Sequence, residues 1–193
     1  MTEKQRLSAE APREKRVTRT RPALQNALLS LLEEQSFDQL TIRDVTARAG
    51  ISYATFFRHY PDKEALLHEV AAREIRKLLG MTLPILYTVD SRSSTKALCA
   101  YVWQHRKLWS ALLTGGAAAT LKEEFVREAR RHAAESLKFE SWLPGDLNVV
   151  FSVSASVEVL SWWLSQADPP SVTEMAEIID KLVLLPSISE RDA

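Results

Sequence analysis

The chain has 193 residues, 46% hydrophobic and 26% charged, with a formal net charge of zero. That composition belongs to a globular domain able to bury a core, and sets aside collagen-like and fully disordered classes. A single cysteine, Cys99, excludes an intrachain disulfide and a Cys-cluster metal site, and five glycines are few for a β-rich fold with many tight turns.

The zero balance hides an asymmetry. Residues 1–21 carry seven Lys/Arg against three acids, whereas residues 140–193 carry two against nine. A basic front end suits a polyanionic partner. Residues 1–16 hold almost no large apolar side chains and are expected to form a disordered tail. The N-terminus lacks the apolar core of a signal peptide. Apolar runs elsewhere are interrupted by charges or Ser before the ~20 residues of a membrane span, so the expectation is a cytoplasmic protein with no membrane partner.

From Pro22 a helical pattern begins, with Leu24, Ala27, Leu28, Leu31 and Leu32 at 3.6-residue spacing. Residues 33–39 end it, and Phe37 is expected to anchor the core. Thr41 opens a short helix, with Asp44 three places on in a capping-box arrangement and Ile42, Val45, Thr46 and Ala49 as its buried stripe. Gly50 ends it. Ser52 caps a further helix over 53–59, and Pro61-Asp62 leads into a long amphipathic helix over 62–79, with Gly80 and Pro84 around a domain boundary.

Five more helices are predicted, over 93–104, 106–114, 117–136, 146–166 and 172–185. The stretch from Phe151 to Val159 alternates apolar and polar residues like a strand. Its position in about twenty residues free of Gly and Pro, with no partner strand in the sequence, favours helix. The expectation is all-α, with a helix-turn-helix domain over 17–77 and a helical domain over 81–193.

Two short helices around a Gly-containing turn match the helix-turn-helix layout, whose second helix places its first side chains at base edges in the major groove. Ser52, Tyr53, Ala54 and Thr55 occupy that first turn, and Arg58, His59 and Lys63 follow as donors for phosphates. Residues 21–67 resemble the DNA-binding domain of TetR/AcrR-family transcriptional regulators. Arg21, Thr41, Ala49, Gly50, Ser52, Thr55, His59, Lys63 and Leu66 all fall on its pattern.

The resemblance implies that Thr41 caps the second helix and meets a phosphate, and that Arg43 reaches a base or the backbone. It implies that Ser52, Tyr53 and Thr55 face bases and nearby phosphates, and that His59 and Lys63 hold the DNA backbone. Three positions depart from the pattern. Phe57 stands where the family has a Tyr, so a phosphate contact through its hydroxyl is absent and the ring packs beside the sugar-phosphate chain; Ser36 and Ala54 replace glycines.

Beyond residue 80 the resemblance is one of architecture. It implies a homodimer on palindromic operator DNA, with the last two helices pairing across a two-fold axis. Val157, Leu160, Trp163 and Leu164 form one expected dimer stripe, and Met175, Ile178, Ile179 and Leu182, continued by Val183, form the other. Cys99, Trp103, Trp109, Phe125, Phe151 and Trp162 are the candidate lining of a pocket for a small apolar or aromatic effector, with Trp142 and Trp163 among the remaining aromatics.

The expected function is a repressor released from its operator by such an effector. The alternative is a regulator of the same kind controlled by a protein partner. No cofactor or metal is expected. The sequence has no Gly-rich phosphate loop, nucleophile elbow or HExxH pair, and His59, His68, His105 and His132 are scattered, so an enzyme is not expected.

Overall fold

The computed structural model describes residues 19–114, 118–135 and 141–188, and all regular structure in them is helical. The expected disordered tail lies outside the described residues. The chain divides into two compact units, Met1–Val70 and Ala71–Ala193. The division falls earlier than the expected 77–81 stretch.

In the first unit, α1 covers 19–32. A 3₁₀ turn, Phe37–Gln39, leads to α2 (Ile42–Ala49), α3 (Tyr53–Phe56) and the start of α4 (Lys63–Thr88). Leu24, Leu28, Leu32, Leu40, Val45, Phe56, Leu66 and Leu67 are almost completely buried and make its core. Phe37, expected as a core anchor, is only half-buried, and Leu40 fills that role. The 3₁₀ turn accounts for the exchange, because it aims Leu40 inward and leaves Phe37 on the rim.

α3 is shorter than the predicted 53–59 span. After Phe56 the chain tightens, with Arg58 N–H donating to Thr55 O and His59 N–H to Phe56 O at 2.8 Å. α4 runs past Gly80 and Pro84 to Thr88, which overturns the predicted end at Leu79. Gly80 was a false stop signal: Gly50 is the only described glycine with positive φ. Pro84 lacks an N–H to continue the ladder. Hydroxyls supply local bonds around it, with Thr82 Oγ1 donating to Leu78 O at 2.9 Å and Thr88 Oγ1 to Pro84 O at 2.8 Å.

The second unit continues with α5 (Ser91–Gln104), α6 (Arg106–Thr114), α7 (Ala118–Glu135), α8 (Gly145–Ser165) and α9 (Val172–Ile179). A π-helical turn, Asp180–Leu184, then leads into α10 (Leu185–Ile188). The strand-like alternation at 151–159 is thus helical. Asp90 and Ser171 cap α5 and α9, each accepting a backbone N–H from the residue three places on. The predicted single helix over 172–185 is broken by the π turn, which precedes Pro186, a residue unable to donate to the carbonyl four places back.

α8 is the exception to the expectation that no apolar stretch is long enough to cross a membrane. By length and composition, with mean hydropathy 1.4, it is. Its interrupting residues are mostly serines, which break the sequence pattern without lowering the hydropathy far.

Candidate nucleic-acid interface and effector cavity

The candidate reading head is built by caps. Thr41 Oγ1 accepts from Asp44 N–H at 3.2 Å, and Thr41 N–H donates to Asp44 Oδ2 at 2.9 Å, a complete capping box. The Thr41 hydroxyl also donates to Asp44 at 2.6 Å. This side-chain bond, with the backbone N–H second, holds the Asp44 carboxyl below its ordinary value. Gly50 takes φ 65°, a left-handed conformation that a side chain would strain. Ile51 N–H then reaches Thr46 O at 2.9 Å and closes the end of α2.

Ser52 caps α3, accepting from Thr55 N–H, and its hydroxyl lies 2.7 Å from Thr55 Oγ1. Below α3, Phe56 and Tyr60 are buried and belong to the core rather than to the contact surface. Burial pushes the Tyr60 hydroxyl up to about 12. At the far end of α2, Arg48 donates to Ser30 Oγ at 2.6 Å and to both Glu34 carboxylate oxygens at 2.8 and 2.7 Å, tying α2 to the end of α1.

This frame leaves a set of candidate contact residues outside. Thr41, Arg43, Ser52, Tyr53, Ala54, Phe57 and Arg58 are exposed, and Thr55 and His59 are half-buried. Tyr53 and Phe57 are 49% and 47% exposed and meet edge to face at 5.2 Å between centroids. The Arg43 guanidinium lies 6.0 Å from the Tyr53 ring centre. Two large aromatic rings standing in water beside a cation cost hydration unless something covers them. Lys63, expected to hold the DNA backbone, is half-buried, and its ammonium donates to carbonyl oxygens of the first unit.

In the second unit a cavity of about 710 Å³ opens among α4, α5, α7, α8 and the C-terminal turns. Leu78, Leu83, Leu86, Phe125, Val153 and Leu160 give apolar walls. Asn148, Ser152 and Ser156 add a polar line along α8 at four-residue spacing. Arg130 and Asp146 also border the cavity, paired at 2.7 and 3.0 Å.

Of the six expected pocket residues only Phe125 lines this cavity. Cys99 and Trp109 are buried in the core, and Trp103 stacks on Trp163 at 4.9 Å. Phe151 and Trp162 are on the outside, 43% and 51% exposed.

The expected dimer stripe is displaced in the opposite sense. Val157, Leu160, Trp163, Met175, Ile179 and Val183 are buried within the unit, and Val157 and Leu160 border the cavity. Leu164 and Ile178 are half-buried, and Leu182 alone of that set is well exposed, with Leu185 beside it in the chain. The physical reason is that α8 is apolar on nearly every side, so its sequence does not say which stripe faces inward. The Asn148–Ser152–Ser156 line was the signal missed: polar positions recurring on an apolar helix mark a face that neither a dry core nor a dry interface would choose. Among the described residues no group of three or more His, Cys, Asp or Glu is placed to hold a metal ion.

Comparison with known proteins bears on the first unit directly. Residues 25–70 match the family described as bacterial regulatory proteins, tetR family. The match is confined to the N-terminal segment, which is similar to the N-terminal domain of that family. The HTH-type transcriptional regulator YxbF of Bacillus subtilis (strain 168), itself uncharacterized, is 42% identical over 67 residues, 34% of this chain and 18% of that protein. The TetR-like segment therefore spans under a fifth of this relative.

Two solved structures are similar across most of the chain. FadR of Thermus thermophilus, a TetR family repressor in complex with lauroyl-CoA, has a TM-score of 0.62 at 16% identity, covering 90% of this chain and 97% of its own. RolR in complex with resorcinol has a TM-score of 0.61 at 20% identity, covering 88% and 90%. At such identities the likeness is one of fold.

Proposed function

We propose that the protein is a transcriptional regulator that reads palindromic operator DNA with α2 and α3 as a C2 homodimer, and that a small molecule in the second unit's cavity releases it. The exposed cluster of Tyr53, Phe57, Arg43 and Arg58 on the doubly capped α2–α3 frame carries this reading. Tyr53, Ala54 and Phe57 are suited to base edges and thymine methyl groups, and Arg43, Arg58 and His59 to phosphates. Ser52 and Thr55 retain hydroxyl oxygens for either.

A second copy of the chain is the natural cover for the outer face of α8, where Leu147, Phe151 and Trp162 are exposed, and for Leu182 and Leu185. Such a dimer would set two heads about 34–36 Å apart, one turn of DNA. FadR and RolR, with their bound lauroyl-CoA and resorcinol, support a small-molecule effector over control by a protein partner. The cavity's volume lies within the usual range for ligand sites, about 300–1,000 Å³. An effector need only favour a form with the heads differently spaced to release DNA. The site calls for no catalytic chemistry, and the protein would act in the cytoplasm.

Repeated selection of random 30-base-pair duplexes on the purified protein tests this. The reading expects an inverted repeat to emerge. Enriched pools without a shared sequence would rule out operator recognition.

A further inference from the structure

Lys63 is the first residue of α4, where a cation opposes the positive end of the helix dipole. The structure shows what holds it there. Its Nζ donates to the carbonyl oxygens of Phe37 and Leu40, each at 3.0 Å, with Asp38 O at 3.5 Å. The Phe37 ring covers it from 4.6 Å. An ammonium has three donors, and protein oxygens face all three. Phe37 and Asp38 lie in the 3₁₀ turn before α2 and Leu40 follows it; Phe37 O also accepts the Leu40 N–H at 3.1 Å, so Lys63 adds a second donor to the bond that closes the turn.

One of these carbonyls has a particular role. Leu40 O and Thr41 N belong to the same peptide unit. Lys63 holds the oxygen of that plane, and Asp44 Oδ2 holds its N–H at 2.9 Å. Because the peptide unit is planar, bonds at its oxygen and at its N–H together restrain its tilt. Leu40 fills the core on one side of it, and Thr41 caps α2 on the other.

We propose that Lys63 is a positioning residue that orients the first helix of the reading head through the Leu40–Thr41 peptide, and that it contributes no phosphate contact. The proposal rests on the DNA-binding reading above for its consequence, but the clamp itself is a property of the free protein.

The two roles separate in a salt titration. Each phosphate that a cation neutralises adds about 0.9 to the slope of log affinity against log salt. On a duplex enriched by selection, Lys63→Met is expected to bind about tenfold more weakly at every salt concentration, with the wild-type slope. Arg58→Gln, which removes an exposed cation, provides the reference and should lower the slope by about 0.9 per protomer.

Hydrogen exchange without DNA should show the Leu40 and Thr41 amides at least tenfold faster in Lys63→Met, with Lys63→Arg restoring part of the protection. Phe37→Ala keeps the charge and removes its cover. It should likewise speed those two amides without changing the slope, and it serves if Lys63→Met does not fold. A slope lowered by about 0.9 per protomer in Lys63→Met with unchanged exchange would make Lys63 a phosphate contact and overturn the proposal. If the wild-type protein prefers no duplex, the DNA reading fails, and the exchange experiment decides the clamp alone.

Discussion

The two units are held together by different physics. In the first, short helices are fixed by caps and by polar ties of definite geometry: the Thr41–Asp44 box, the left-handed Gly50, the bidentate Arg48–Glu34 pair. A four-residue helix such as α3 has little stability of its own. Its placement depends on Phe56 below and Ser52 in front. In the second unit, long helices pack through apolar faces, and α8 is apolar inside and out. The first arrangement fixes side chains at a surface. The second leaves a cavity on one side of a helix and uncovered rings on the other.

The sharpest contrast is between neighbours on α8. Trp163 is fully buried, its Nε1 donating to Pro170 O at 2.8 Å, whereas Trp162 is half exposed. Trp163→Ala should cost about 3–5 kcal/mol, the usual penalty for deleting a buried aromatic, read as a fall in Tm. Phe151→Glu and Trp162→Glu should leave Tm of the monomer nearly unchanged and each weaken self-association by about 2 kcal/mol or more, as central aromatic anchors do. Sedimentation equilibrium gives that number. If Trp162→Glu melted the fold while Trp163→Ala dimerised normally, the assignment of the two faces would be reversed.

A smaller effect is expected in the reading head. Tyr53→Ala should relax preference at one base position per half-site by about 1–3 kcal/mol, scored by competition among single-base operator variants. Unchanged preference would remove Tyr53 from base reading.

The smallest effect concerns Cys99, whose thiol burial pushes up to about 12 from 9.0. The folded state keeps the proton that the unfolded chain gives up above pH 9. Its contribution to stability is therefore complete below about pH 9 and lost as pH rises towards 12. At pH 8 iodoacetamide should label the protein only in denaturant. Labelling of the native state would place Cys99 at an accessible surface.

What was legible follows the same division. The all-helical class, the cap at Thr41 and the turn at Gly50 could be read from sequence, because caps and amphipathic stripes are local signals. The length of α4 was not, because Gly80 and Pro84 look like stops until hydroxyls at Thr82 and Thr88 are placed beside them. Nor were the faces of α8 and α9, since Val157 and Phe151 are equally apolar and only packing tells them apart. Lys63 was legible as a basic position of the resemblance, but its partners lie 23 to 26 residues back in the chain.

Fluorescence anisotropy of the wild-type protein on a selected inverted repeat and on its scrambled counterpart, at 50 and 200 mM salt with random competitor DNA, tests the central claim most directly. The account predicts two protomers per repeat and a preference for it that survives competitor at both salt concentrations. Equal binding to both duplexes, erased at the higher salt, would contradict it and reduce the basic head to a non-specific polyanion contact.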